Sequence, residues 1–172
     1  RMVWEVNTAG GVQAASTAAA SYDPSYQRLV IHQMDVYREG VAVTRLAGEN
    51  VQVLRREPNL ESQILDGTLT ASVMLEDVRP GDRIDAAFTV TGRNPALRDR
   101  YVETFACGWR WPVASVRIRI LSPPGRSIHY RMHGEPAEPL RQGAGGLIEY
   151  TWSLADRPGF VGEDMTPAWR VD

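Results

Sequence analysis

Apolar and polar residues alternate with a period of two along most of the chain. Leu69, Ala71, Val73 and Leu75 interleave with Thr70, Ser72, Met74 and Glu76, and Ile84, Ala86, Phe88 and Val90 with Asp85, Ala87, Thr89 and Thr91. Val116, Ile118 and Ile120 alternate with Ser115, Arg117 and Arg119, and Ile148, Tyr150, Trp152 and Leu154 with Glu149, Thr151 and Ser153. Such alternation places one set of side chains on a core face and the other towards water, the pattern of half-buried antiparallel strands. Arg79-Pro80-Gly81-Asp82 and Pro124-Gly125 lie between such runs. Proline presets φ at the second turn position and glycine accepts a positive φ at the third, so both read as type II turns. They predict hairpins over residues 69–91 and 114–133. Further turns are expected at Glu39-Gly40, Gly48-Glu49-Asn50, Asp66-Gly67 and Gly143–Gly146.

A first strand is expected near Val3 to Asn7 and another over Leu29–Tyr37. Gln13–Ala20 is rich in alanine, a helix former, but Ser16, Thr17 and Ser21 interrupt it; it is assigned to a strand. Asn59 to Leu65 fits a short helix capped by Asn59. Many short strands with turns between them predict an all-β fold, an antiparallel β-sandwich with at most one or two short helices. Residues 1–157 form the expected domain. Residues 158–172, with Pro158, Gly159, Gly162 and Pro167, form a tail or linker towards a downstream domain.

The 172 residues suit one domain. A net charge of −2 gives no basic excess for phosphate neutralisation, which argues against nucleic acid. No apolar run approaches the roughly 20 residues of a membrane span. Arg1-Met2-Val3-Trp4 passes directly to Glu5 without an apolar signal region, so the chain is expected to start inside a longer protein. One cysteine excludes an internal disulfide framework and a multi-cysteine zinc site. No cofactor is expected.

Cys107 is the candidate nucleophile. It shares a face with Tyr101, Phe105 and Trp109, an aromatic strand expected to be buried, and burial in apolar surroundings makes a thiol inert. His129 and His133 have the spacing of a metal pair on a helix, but Ile128, Tyr130 and Met132 alternate with His129, Arg131 and His133 as in a strand. There the two rings would stand roughly 13 Å apart, too far for one zinc. His32 is grouped with Val30, Met34 and Val36 on one apolar face. Of the carboxylates Glu76, Asp77, Asp82, Asp85, Asp99 and Glu103, no two stand out as an acid–base pair for glycoside hydrolysis. Trp109 and Trp152 read as core. Trp111 and Trp169 are candidates for an exposed platform or an interdomain anchor, with the anchor favoured for Trp169. A binding surface would draw on Trp111, Tyr37, His129, Arg131, His133 and Trp169.

Several stretches, taken in order, carry a resemblance: Asp23-Pro24-Ser25-Tyr26-Gln27, Leu29 to His32, Arg38-Glu39-Gly40, Leu54-Arg55-Arg56-Glu57 and Leu65 to Thr70. Asp77-Val78-Arg79-Pro80-Gly81-Asp82-Arg83-Ile84, Gly92-Arg93-Asn94-Pro95, Trp111-Pro112-Val113 and Tyr130-Arg131-Met132-His133-Gly134 complete the series. From about Trp4 to Trp169 the chain resembles the bacterial domain of unknown function that precedes transglutaminase-like, cysteine protease-like cores. The resemblance implies a β-sandwich that is an accessory domain, cut from an exported or cell-envelope protein. Its partner would be the downstream transglutaminase-like domain of the same polypeptide, whose catalytic Cys, His and Asp do not map onto this chain. The rival readings are a module binding glycan or peptide, the latter through a groove or by strand addition to a sheet edge, and an independent hydrolase built on Cys107.

Overall fold

The computed structural model describes residues 1–46, 50–55, 67–134 and 136–159. The expected helix at Asn59 to Leu65, the turn at Gly48-Glu49-Asn50 (Asn50 apart) and Trp169 lie outside them. The chain divides into two compact units, Arg1–Tyr101 and Val102–Asp172. All sheets are antiparallel, as the alternation predicts.

In the first unit, β1 (Met2–Glu5), β7 (Arg83–Gly92), β3 (Gln27–Arg38) and β4 (Val41–Thr44) form one sheet in that order. β2 (Thr17–Tyr22), β6 (Leu69–Met74) and β5 (Val51–Arg55) form the second. The inward residues of both sheets, among them Met34, Val36, Ile84 and Ala86 from the first and Ala18 and Val73 from the second, make one buried cluster. This is a two-sheet sandwich whose core is the alternate set of each strand. Val6, Leu75 and Val78, from connecting segments, complete the cluster.

Three expectations change here. The turn at Arg79–Asp82 forms as read: the Asp82 amide bonds the Arg79 carbonyl at 3.1 Å and Gly81 has φ +92°. It does not close a hairpin, because β6 pairs with β2 and β5 while β7 pairs with β1 and β3. The connection crosses from one sheet to the other and buries Leu75 and Val78 on the way. The alanine-rich stretch is not one strand. Thr8 caps α1 (Ala9–Ala15) by accepting the Gly11 amide at 3.2 Å; Ser16 ends it, its amide and hydroxyl both bonding the Val12 carbonyl. Only then does β2 begin, with Ala18 and Ala20 inward. In β3, the register slips between Ile31, opposite Phe88, and Gln33, opposite Ala87. His32 is the extra residue of a bulge, so inward parity flips: Ile31 packs on the core before it, Met34 and Val36 after it. Val30 and His32 are exposed rather than sharing the face of Met34 and Val36.

In the second unit, β8 (Val113–Ser122), β10 (Leu147–Arg157) and β9 (Leu140–Ala144) form a sheet in the order β8-β10-β9. A tight turn with positive φ at Gly145 and Gly146 joins β9 to β10. The Pro124-Gly125 turn forms, with Gly125 at φ +81°, but β8 pairs with β10 and residues 127–133 are not a strand. Residues 101–109 are not a strand either; Tyr101 is 68% and Phe105 45% exposed, so the expected buried aromatic face is absent. Trp152 is buried as expected.

Two glycines separate strain from sterics. A Cβ at Gly81 would meet nothing within 4 Å, whereas at Gly92 (φ +118°) it would fall 2.0 Å from the Tyr26 carbonyl oxygen. Gly81→Val is expected to cost about 1–2 kcal/mol from the positive φ alone. Gly92→Ala, despite its smaller side chain, costs more because backbone must move. Urea denaturation of both variants checks this order; an unchanged midpoint for Gly81→Val contradicts the turn assignment.

Candidate functional site

A cluster of ion-paired arginines and aspartates surrounds the crossover turn. The Arg38 guanidinium at the end of β3 holds Asp82 with two bonds, Nε to Oδ1 and Nη2 to Oδ2, both 2.9 Å. Asp82 is 1% exposed and also accepts the Arg79 amide at 2.8 Å. Arg38 reaches Asp77 as well, through Nη1 to its carboxylate at 3.1 Å and Nη2 to its carbonyl at 2.6 Å. The Arg79 side chain closes on the Asp77 carboxylate, with Nε and Nη2 each 2.8 Å from it. The Arg38 hydrogen bonds hold the Asp82 carboxyl below the usual carboxylate range and raise the guanidinium in return. Arg79, then Arg38, lower Asp77 similarly. Carboxylates neutralised in this way are poor general acids and bases.

The other buried acids are likewise paired. Asp85, 2% exposed, accepts from Arg1 Nε at 2.9 Å, which lowers its pKa. Glu149 accepts from Arg119 at 2.7 Å and from the Thr151 hydroxyl at 3.0 Å, and is lowered chiefly by Arg119. These pairs tie the chain start to β7 and β8 to β10; Asp85 also stands opposite Asp35 across β7 and β3. Among the described residues, no group of three or more His, Cys, Asp or Glu is arranged to hold a metal.

The sequence-derived surface residues are distributed over both units. Tyr37, in the first, is half-buried, and the Arg83 guanidinium covers one ring face 4.5 Å from its centre. Trp111, in the second, is 60% exposed just before β8. His129, Arg131 and His133 are exposed in an irregular segment, not on a strand face. Cys107 is half-buried rather than enclosed, and its thiol lies 3.6 Å from the Phe105 carbonyl. His32 bonds the Thr89 hydroxyl at 2.7 Å.

Sequence reasoning missed the aromatic cluster of the second unit. Tyr130 stands edge-on to Trp152, with centres 5.1 Å apart, and Tyr150 stacks on Trp152 at 6.5 Å. Arg141 lies over Tyr150 at 5.7 Å, and the Tyr130 hydroxyl bonds the Glu138 carboxylate. Alternation pointed to Trp152 and Tyr150, but Tyr130 comes from an irregular segment that has no period to read. Among the described residues, the first unit has two concavities of note. One is a shallow depression of about 490 Å³ lined by polar Gln13, Ser16, Thr17, Asn50, Gln52 and Glu76, with Met74 and Leu75. The other is an apolar slot of about 10 Å³ between the two sheets.

These features define an all-β domain whose buried ionisable groups serve the fold. The chain belongs to the family described as a domain of unknown function with a solved structure, DUF3857, whose model matches residues 1–160. The fold is similar to the crystal structure described as that of a putative protease from Parabacteroides distasonis, at a TM-score of 0.77 and 16% identity. That match covers 95% of this chain and 32% of the other, so the chain spans about a third of the protein it resembles. No curated protein matches the sequence.

The paired acids make stability depend on pH. Asp82, Asp85 and Glu149 all have folded-state pKa values below their unfolded ones, near 4. Below that pH the unfolded chain binds protons that the folded chain refuses, so stability present above pH about 4 is lost as pH falls through the depressed folded values. Melting temperature is therefore expected to fall steeply with acid below pH about 4, and less steeply in Asp82→Asn. An identical acid limb in that variant contradicts the assignment.

Proposed function

We propose that this chain is a non-catalytic accessory domain of a larger protease-like protein. In that protein it stands N-terminal to a transglutaminase-like, cysteine-dependent core and mediates contacts with it. The observation that carries the reading is the unequal coverage: nearly all of this chain matches about a third of a protein described as a protease, which leaves most of that protein for other parts. The side-chain geometry supports it. The Cys107 thiol faces a main-chain carbonyl, and the buried carboxylates are neutralised by arginines. A nucleophile instead needs a base within hydrogen-bond reach, itself oriented by a third group.

The exposure of Trp111 favours a second reading, a module that binds glycan or peptide through an aromatic platform with polar neighbours. The two readings share the absence of chemistry in this chain. In the full-length parent protein, Cys107→Ala is expected to leave kcat/KM for peptide hydrolysis unchanged. Removal of a catalytic nucleophile would lower it by roughly four orders of magnitude or more, and that result would overturn the reading.

A further inference from the structure

The outward face of the second sheet carries no charge. The register sets Thr17 of β2 beside Met74 of β6, and Ala19 beside Ser72, with Gln52 of β5 on the other side of Ser72. Val51 stands opposite Val73, so Asn50 falls on the far side of Met74. The alternate residues Ala18, Ala71 and Val73 are buried in the core, which turns this set outward. Further along, Ser21, Thr70 and Leu54 continue the face, again uncharged. Solvated surfaces are ordinarily about 25–35% charged, and the chain as a whole is 23% charged, so this face departs from both.

The polar depression lies where α1 ends beside this face. Gln13 and Ser16 enter it from the end of α1, and Glu76 from just past β6. Ser16 spends its hydroxyl on the Val12 carbonyl. The side chains of Gln13, Thr17, Asn50, Gln52 and Glu76 make no hydrogen bond among the described residues. Amides and hydroxyls both donate and accept, a carboxylate only accepts, and no cation lines the depression. Met74, 56% exposed between Thr17 and Asn50, adds an apolar patch. The volume of about 490 Å³ falls within the range of small-molecule sites, about 300–1,000 Å³.

This set of groups discriminates between ligands. An anion would meet Glu76 with no cation to offset it, and a metal ion would find a single carboxylate. A peptide takes its main-chain bonds from a sheet edge, whereas this is a sheet face. A sugar presents hydroxyls that donate and accept, and C–H groups for Met74. We propose that the depression binds an uncharged saccharide. Glu76 accepts from two neighbouring hydroxyls, the Asn50 and Gln52 amides bond others, and Met74 packs against the C–H side of the ring. An open site held by side chains alone implies an affinity of about millimolar. The site lies in the first unit and uses no aromatic ring. It is therefore separate from a platform at Trp111 and does not depend on the parent being a protease.

The test is an NMR titration of the 172-residue protein with cellobiose, maltose, lactose and N,N′-diacetylchitobiose. At least one is expected to shift the Thr17, Gln52 and Glu76 backbone amides and the side-chain amides of Gln13 and Asn50. Gln52→Ala should weaken that binding at least about fivefold and Glu76→Ala at least about tenfold, whereas Trp111→Ala should leave it unchanged. All three residues are exposed, so an unaltered spectrum elsewhere verifies that each variant folds. No shift at these residues with any of the four sugars, or binding undiminished in both depression variants, would overturn the proposal. So would equal binding of anionic digalacturonate or of an end-capped threonine–alanine peptide. Binding abolished by Trp111→Ala would place the sugar on the second unit, overturning this site while sparing the platform.

Discussion

The ion pair between Arg38 and Asp82 is the constraint on which the first unit turns. Asp82 ends the crossover that carries the chain from the second sheet to the first, and Arg38 ends the longest strand of the first sheet. The same turn is tied to the segment after β1, where the Gly81 amide bonds the Val6 carbonyl at 2.7 Å and the Val6 amide bonds the Asp82 carbonyl at 2.9 Å. Three separate pieces of chain therefore meet at Asp82, Arg38 at its carboxylate and Val6 at its backbone carbonyl. A charge at 1% exposure is tolerated because two guanidinium bonds and a backbone amide replace its water. Asp77, itself at φ +56°, completes the cluster by binding both arginines.

Much of the fold was legible in the residues, and what was not has a common cause. Alternation reports which residues face inward, and it located β6, β7, β8 and β10 and the buried Trp152. It does not report which strand lies alongside. The Pro80-Gly81 turn has the same local chemistry whether the chain returns on its own sheet or crosses to another, so β6 and β7 read as a hairpin although they lie in different sheets. A one-residue bulge at His32 was hidden for a related reason: β3 is apolar enough on both sides of it for either parity to look inward. The aromatic segment 101–109 misled in the opposite direction, because Tyr101 and Phe105 carry the spacing of a core strand and remain exposed. The Arg38–Asp82 pair left no local signal at all, its partners lying 44 residues apart.

The functional picture follows from where the polar groups have gone. Asp82, Asp85 and Glu149 are each paired with an arginine and act as fasteners. What this leaves for interaction is surface: the exposed Trp111 and the polar depression near α1.

A double-mutant cycle on Arg38 and Asp82, read by urea denaturation, tests the central claim most directly. The account predicts strong coupling: Arg38→Ala strands a buried charge and Asp82→Ala strands its partner, while the double variant is scarcely less stable than Arg38→Ala alone. Additive losses would show that the two residues act independently and would contradict the view that their contact organises the sandwich.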